Sequence, residues 1–252
     1  MATTIYGTKL PYQPTKADIP GTNSCHYWTP DKVRDFLDSV RSGNYTKTYS
    51  GPSGFVQAID PDTGDSVLQI AARLSSPFDT INNIMGSFPP GPCLLSRPYP
   101  PFYEWARHAL LVHQNYNGDT ILHIAARSGN QLLLTMLLRC VANHWSLQCP
   151  EIIEMDDGPP EHENWDDEFS PPILLILITK NNMGREPAAE ARLTRHDDLA
   201  EWLDAIKARL DPDGTRCTDE HVAEMIEYVR LRKRHEWITE RDVENINGYG
   251  YP

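Results

Sequence analysis

The sequence has no long apolar run, and this absence excludes several classes of protein. The longest uninterrupted aliphatic stretch covers residues 173–178, far below the roughly 20 residues that a membrane-spanning helix needs. Residues 1–20 contain no apolar segment of the kind found in a secretory signal. We therefore expect an intracellular protein, cytoplasmic, nuclear or both, without a membrane partner.

Cysteine is scarce and is not arranged for metal binding. The five cysteines are odd in number and widely spread, so we expect reduced thiols in an intracellular setting. Cys140, His144 and Cys149 lack a fourth ligand at a usual spacing, and no Cys-x-x-Cys pair occurs. We expect neither a metal nor a cofactor. The cysteines are Cys25, Cys93, Cys140, Cys149 and Cys217.

An excess of positive charge is also missing. The chain has 23 Lys and Arg against 35 Asp and Glu, and its formal net charge is -12. Non-specific binding to nucleic acid or to an anionic membrane requires a basic face, so neither is an expected partner. The basic cluster at residues 230–235 is most simply a solvated helix end, and a nuclear import signal is the alternative.

Known catalytic motifs are absent as well. The sequence has no glycine-rich phosphate loop, no nucleophile elbow and no His-Glu-x-x-His pattern. We therefore expect no enzymatic activity, and no small-molecule substrate is apparent. Two alternatives stay open: an enzyme or metal-binding protein whose site is built from the long insertions, and a purely structural subunit of a larger assembly.

What the sequence does contain is a pattern for two short helices in residues 115–143. Gly118 permits a tight turn, Thr120 suits a helix N-cap, and Gly129 ends the first helix because glycine accepts a positive φ. Two helices joined by so short a connection must lie antiparallel. The apolar positions are Leu122, Ala125 and Ala126 in the first helix, then Leu133, Leu134, Met136, Leu137 and Leu138 in the second.

This stretch resembles an ankyrin repeat. The resemblance is carried by residues 118–126 (Gly-Asp-Thr-Ile-Leu-His-Ile-Ala-Ala), Gly129 and the leucine cluster. Ile121, Asn130 and Val141 depart from the family pattern, which favours proline, histidine and glycine there. The resemblance implies that His123 forms local hydrogen bonds and holds adjacent units together. It also implies further units, because one repeat cannot bury both of its faces.

A second unit aligns with the first on its glycine. Gly64 matches Gly118, Ser66 matches Thr120, and Gln69 takes the place of His123. Its second helix is predicted over Pro77–Met85. The remaining positions of this unit are the alanines Ala71 and Ala72, which match Ala125 and Ala126, and the expected buried residues Phe78, Ile81, Ile84 and Met85.

The two glycines are 54 residues apart, whereas an ankyrin period is about 33 residues. The surplus lies in residues 87–101, whose six prolines predict a surface insertion. Residues 102–113 are predicted to be helical, either as a displaced second helix of this unit or as an extra helix.

A third unit is predicted near residues 170–210. Gly184 follows Gly118 by 66 residues, or about two periods, which suggests a degenerate unit between them to which the run 173–178 would supply one helix. The alternative is that the spacing is a coincidence, because the acidic stretch is an insertion. Residues 151–168 hold nine acidic residues and no Lys or Arg, which predicts an exposed acidic insertion. The positions at repeat spacing are Gly184, Pro187, Ala191, His196, Leu199 and Leu203.

The flanking segments complete the predicted organisation. Residues 1–27 are expected to be an irregular leader, and residues 241–252 a tail. Thr29 and Pro30 favour a helix start, and this helix is expected to cap the stack. A last helix is predicted over 218–236, so the repeat domain spans 28–240, with units near 60–113, 115–145 and 170–210.

Together these patterns predict an all-α ankyrin-repeat solenoid of short antiparallel helix pairs with non-repeat capping helices and long insertions. The resemblance implies a non-catalytic intracellular adaptor or regulator that binds one or more proteins, a transcription co-regulator being one version. It places the protein-binding residues at turn tips and on the first helices: Asp60, Asp62, Thr63, Asp65, Arg73, Tyr116, Asn117, Asp119, Arg127, Ser128, Met183 and Arg185.

Overall fold

The chain folds mostly into helices. The computed structural model describes residues 3–4, 28–43, 52–87, 106–107, 109–141, 171–220 and 222–223. Short helical turns also occur at 106–107, 109–111, 219–220 and 222–223. The helices are α1 Pro30–Arg41, α2 Pro52–Gln57, α3 Val67–Ala72, α4 Pro77–Met85, α5 Ile121–Ser128, α6 Gln131–Val141, α7 Pro171–Ile178, α8 Pro187–Leu193 and α9 Asp197–Leu210.

Local sequence signals determine where several helices begin and end. The Thr29 side chain accepts a hydrogen bond from the backbone N–H of Lys32 at the start of α1, as a Thr-Pro start predicts. Thr120 caps α5, and Gly129 ends it with a φ of 68°. The predicted bounds of α4 agree with the structure. These helix starts and ends are therefore confirmed.

Three helix pairs are packed in sequence order. The pairs are α3–α4, α5–α6 and α8–α9, and the first helices are in contact from one pair to the next, α3 with α5 and α5 with α8. Helix α1 packs on α3 at one end, which is where a capping helix was predicted. One continuous apolar cluster runs from α1 to α9, so the pairs share a single core.

Two extra helical segments precede the loops of the second and third pairs. Since α4 already forms the second helix of the first pair, the turn at 109–111 is an extra segment and not a displaced second helix. Helix α7 packs against α6, α8 and α9, and residues 173–178 are all buried. The apolar run is therefore a buried helix, as predicted.

One short strand pair changes the predicted ends of two segments. Thr3–Thr4 pairs antiparallel with His113–Gln114, so the leader is regular at these two residues, and the helix predicted to reach His113 ends before it. The backbone of His113 is extended because it joins this strand pair. The rest of the leader, residues 88–105, the acidic insertion at 151–168, residues 224–236 and the tail at 241–252 lie outside the described residues. No described helix is long and apolar enough to cross a membrane.

The turn between α8 and α9 holds a residue in a strained conformation. Arg195 has a φ of 65°, and every other described residue with positive φ is a glycine. Arg195 follows Gly184 by 11 residues, as Gly129 follows Gly118, so the two occupy the same place in their units. A residue with a Cβ atom loses about 1–2 kcal/mol in this conformation.

The substitution Arg195→Gly is expected to raise the free energy of unfolding by about 0.5–1 kcal/mol. Relief of the left-handed strain exceeds the extra conformational entropy that glycine adds to the unfolded chain. Urea denaturation measures the change. The matched control is Gly129→Ala, which should destabilise, because its Cβ would also lie 2.4 Å from the His196 ring. An unchanged or lower stability of the glycine variant would contradict the strain argument.

Candidate interaction surface

Each helix pair is preceded by a loop that begins with an Asp or Asn. The side-chain oxygen of this residue accepts the backbone N–H two positions later, at 2.9 Å for Asp60, 2.9 Å for Asn115 and 3.0 Å for Asn181. In the second and third loops the same oxygen also accepts the N–H four positions later, at 3.0 and 3.1 Å. One side chain therefore sets the shape of each loop.

The three loops are joined to one another through their backbones. The N–H of Tyr116 donates to the carbonyl of Thr63 at 3.1 Å, and the N–H of Asn182 donates to the carbonyl of Asn117 at 3.0 Å. A Cβ atom on Gly64 would lie 2.7 Å from the Tyr116 ring, and one on Gly118 would lie 2.6 Å from the Asn182 nitrogen. Glycine is required at both places because the next loop passes directly over it.

A buried carboxylate at the end of each of the first two loops is bound by the following loop. Asp65 accepts a hydrogen bond from the Asn115 amide at 2.6 Å and pairs with Arg73 at 3.2 Å. Asp119 repeats the pattern with the Asn181 amide at 3.0 Å and Arg127 at 3.1 Å. Both carboxylates are buried, so their oxygens need these hydrogen-bond donors in place of water.

Glu190 connects the second unit to the third. Its carboxylate accepts from Arg127 Nε at 3.0 Å, Arg185 Nε at 2.7 Å and Asn181 Nδ2 at 2.8 Å. Burial alone would raise the pKa of Glu190, but the hydrogen bonds from Arg127 and Asn181 outweigh it and hold that pKa below its usual value. Glu190 is therefore ionised and ties two helices to the third loop.

The first helix of each of the first two pairs, α3 and α5, carries one side chain that caps that helix and also forms a hydrogen bond with the next loop. Gln69 accepts the N–H of Ser66 at 2.8 Å and donates to the Asp119 carbonyl at 2.6 Å. His123 accepts the N–H of Thr120 through Nδ1 at 3.1 Å, and its Nε2 lies 3.0 Å from the Arg185 carbonyl. Burial lowers the pKa of His123, so the neutral ring serves both contacts. The role predicted for His123 is confirmed.

A second buried histidine joins the first two loops. His113 Nε2 lies 2.6 Å from the Gly64 carbonyl, and the side chain has no exposed surface. Burial lowers the pKa of His113 to about 4, although the Gly64 contact and the charge of Asp65 act in the opposite direction. The neutral ring therefore donates its Nε2 proton to Gly64.

The predicted protein-binding residues divide into two groups. Asp60, Asp65 and Asp119 are buried, and Arg73, Arg127 and Arg185 pair with carboxylates, so these six serve the internal network. A binding role for any of the twelve residues stays a prediction. The exposed side chains are the ones available to a partner. Those are Asp62, Thr63, Tyr116, Asn117, Ser128 and Met183, and Arg73 is exposed as well although it pairs with Asp65.

Sequence reasoning missed the residues that hold the loops together. Asn115, Asn181 and Glu190 were not predicted, and neither was the contact made by His113. A signal for the asparagines exists, since both lie three residues before a loop glycine. A sequence signal also exists for the ion pairs of the arginines, because Arg73 follows Asp65 by eight residues and Arg127 follows Asp119 by eight residues.

Comparisons with family models, curated proteins and solved structures find no match for this chain. The described residues contain no group of three or more His, Cys, Asp or Glu side chains able to hold a metal ion. The geometry of the loops and first helices is therefore the basis for the functional argument.

The substitution Asn181→Asp is expected to lower the free energy of unfolding by about 3 kcal/mol. It keeps the oxygen that shapes the third loop, but it removes the donor to Asp119 and Glu190 and adds a third carboxylate beside them. Urea denaturation measures the loss. The control is Asp60→Asn at the same place in the first loop, which should cost less than about 1 kcal/mol because its partner Arg41 is partly exposed. Equal losses for both variants would contradict the role of the Asn181 amide as the donor to Asp119 and Glu190.

The His113 contact predicts a pH dependence of stability. Because the pKa of His113 is about 4 in the fold and 6.5 when unperturbed, the unfolded chain takes up the proton first as the pH falls. The contribution of neutral His113 to the free energy of unfolding is fully present above pH 6.5, and it falls by about 3 kcal/mol as the pH is lowered toward 4. The pKa of His123 is shifted in the same direction, so both histidines add to the slope.

The variant His113→Gln should flatten this profile between pH 6.5 and 4.5, because its amide can still donate to Gly64 but does not titrate. Stability measured by urea denaturation at a series of pH values tests the prediction. Carboxylates with a lowered pKa, such as Asp60 and Glu190, lose their contribution only at lower pH. An unchanged slope in the variant would mean that His113 is not the titrating group.

Proposed function

We propose that this chain is a non-catalytic protein–protein interaction module built as an ankyrin-type stack. Three features support the proposal: loop–helix–helix units in sequence order, backbone hydrogen bonds between successive loops, and a capping Gln69 or His123 that also binds the next loop. An adaptor or regulator of intracellular proteins is the function that this arrangement fits best, with a transcription co-regulator as one version.

The observation that carries the proposal is the contrast between buried loop bases and exposed loop tips. The polar side chains at the bases, such as Asp119 and Asn181, are hydrogen-bonded inside the structure. The tips present Thr63, Asn117 and Met183 at the same place in successive loops, and all three are exposed. A partner would meet loops whose backbones are already held in position, which reduces the entropy lost on binding.

The tip residues have a composition suited to protein recognition. Tyr116 is 45% exposed and Met183 is 71% exposed, and both residue types are enriched in protein interfaces. The Tyr116 hydroxyl donates to the Pro61 carbonyl at 3.2 Å, so its ring is held against the preceding loop. A mixed row of polar and apolar side chains is typical of a surface that binds a particular protein.

The alternative proposals depend on segments outside the described residues. An enzyme or metal site would be built from the insertions at 87–101 and 151–168, of which only Ser87 is described, and nuclear import would use the basic residues 230–235. Metal analysis of the purified chain tests the first alternative, since a stoichiometric metal would favour it. Localisation before and after neutralising these basic residues tests the second.

If partners bind at the loop tips, a double variant with Thr63→Lys and Asn117→Lys is expected to lose them. Both side chains are exposed, so the fold should persist while the added charge disfavours docking. Affinity purification of the tagged full chain from cells, with quantitative mass spectrometry, should show specific partners reduced at least about fivefold. A thermal melt of the purified variant verifies folding.

The control carries the same change in charge away from the tips, as Asp35→Asn with Asp79→Asn on α1 and α4. It should retain the partners seen with the unmodified chain. Partners that remain with the tip variant, or that are lost equally with the control, would contradict docking at the loop tips.

A further inference from the structure

The third unit lacks every side chain that links the first two units to their successors. The capping Gln69 and His123 are replaced by Ala189, which has no donor, and the loop carboxylates Asp65 and Asp119 by Arg185. The helix arginines Arg73 and Arg127 are replaced in the same way by Leu193. A fourth unit of the same kind would find none of these side-chain partners on this side.

The backbone of the third loop is nevertheless open where another loop would lie. Nothing among the described residues comes within 4 Å of a Cβ built on Gly184, whereas the following loops press on Gly64 and Gly118. The carbonyl of Met183 corresponds to those of Thr63 and Asn117, but it accepts no hydrogen bond from a described residue. This edge therefore has room and a backbone acceptor for one more extended segment.

The side chains around this edge are apolar and basic. Met183 is 71% exposed and Leu193 is 59% exposed, the two highest values among the exposed large apolar residues of the described chain. Arg127 contacts Asp119 in the second unit, so the equivalent Leu193 and Arg185 are neighbours in the third. Arg185 gives its Nε to Glu190, and its side chain is 36% exposed.

We propose that the end face of the third unit, formed by Met183, Gly184, Arg185, Ala189 and Leu193, binds an extended segment of another protein that carries an acidic residue beside an apolar one. The segment adds to the loop stack as a further strand adds to a sheet edge. Its N–H donates to the Met183 carbonyl, its acid pairs with Arg185, and its apolar side chain covers Leu193.

Charge and exposure argue for this occupant. A terminal repeat that faces only water normally has a polar outer face, whereas this one exposes Met183 and Leu193. Where the first two units have Asp65 and Asp119, the third has Arg185, so a neighbouring segment meets a positive charge. The following loops meet the two carboxylates with an asparagine, and a segment that meets Arg185 would need an acid at that place. This surface shares Met183 with the loop tips but otherwise lies on the open edge of the third unit, and the inference goes beyond the proposed function.

The experiment selects a phage-displayed library of random 12-residue peptides on the full chain. Enriched sequences should contain an acidic residue next to an apolar one. Synthetic peptides with these sequences should bind at least about tenfold more weakly to Leu193→Ser and to Arg185→Gln, as measured by fluorescence anisotropy. The matched control is Leu132→Ser, an exposed leucine on α6 that is 37% exposed, and it should change binding less than about twofold.

Several results would overturn the inference. Enriched peptides without an acid, or with unchanged affinity for both end-face variants, would show that this edge does not bind such a segment. Light scattering that shows a dimer dissolved by Leu193→Ser would make a second copy the occupant. Binding that is lost in the Thr63→Lys, Asn117→Lys variant but kept by the end-face variants would place docking at the tips, so the proposed function would stand without this inference.

Discussion

The buried carboxylates of Asp65 and Asp119 make each unit depend on the next one. An ionised carboxylate inside a protein requires hydrogen-bond donors, and the decisive donors come from Asn115 and Asn181 in the following loops. Removing the following unit would leave each buried carboxylate with its arginine as its remaining side-chain donor. The units therefore fold as a cooperative set, even though each contains only two short helices.

The same dependence explains why the two ends of the stack have different chemistry. At the start, Asp60 occupies the place of the asparagines and pairs with Arg41 from α1, so the capping helix supplies the partner that a preceding unit would provide. At the other end, Arg185 pairs with Glu190 in its own unit and presents no carboxylate to a successor. The first end is closed by a helix, and the second exposes a changed surface.

The sequence predicted the parts of the fold that are encoded locally. The ends of α1, α4 and α5 follow from Thr29, Pro77 and Gly129, whose effects act within a few residues. The contacts of Asn181 and His113 could not be predicted in this way, because their partners are distant in the sequence. The predicted binding residues were placed by the register of the ankyrin resemblance alone, which does not distinguish the buried Asp119 from the exposed Asn117.

The units are irregularly spaced in the sequence but form a regular stack. This is possible because each insertion lies between the second helix of one unit and the loop of the next. Gly64, Gly118 and Gly184 are 54 and 66 residues apart, yet successive loops form equivalent backbone hydrogen bonds. Each doubling of the length of a loop costs only about 0.6 kcal/mol of closure entropy. The two hydrogen bonds that Asn182 makes to the second loop contribute about 1 kcal/mol each and exceed that cost. Long insertions between a second helix and the next loop can therefore be added without loss of the loop geometry.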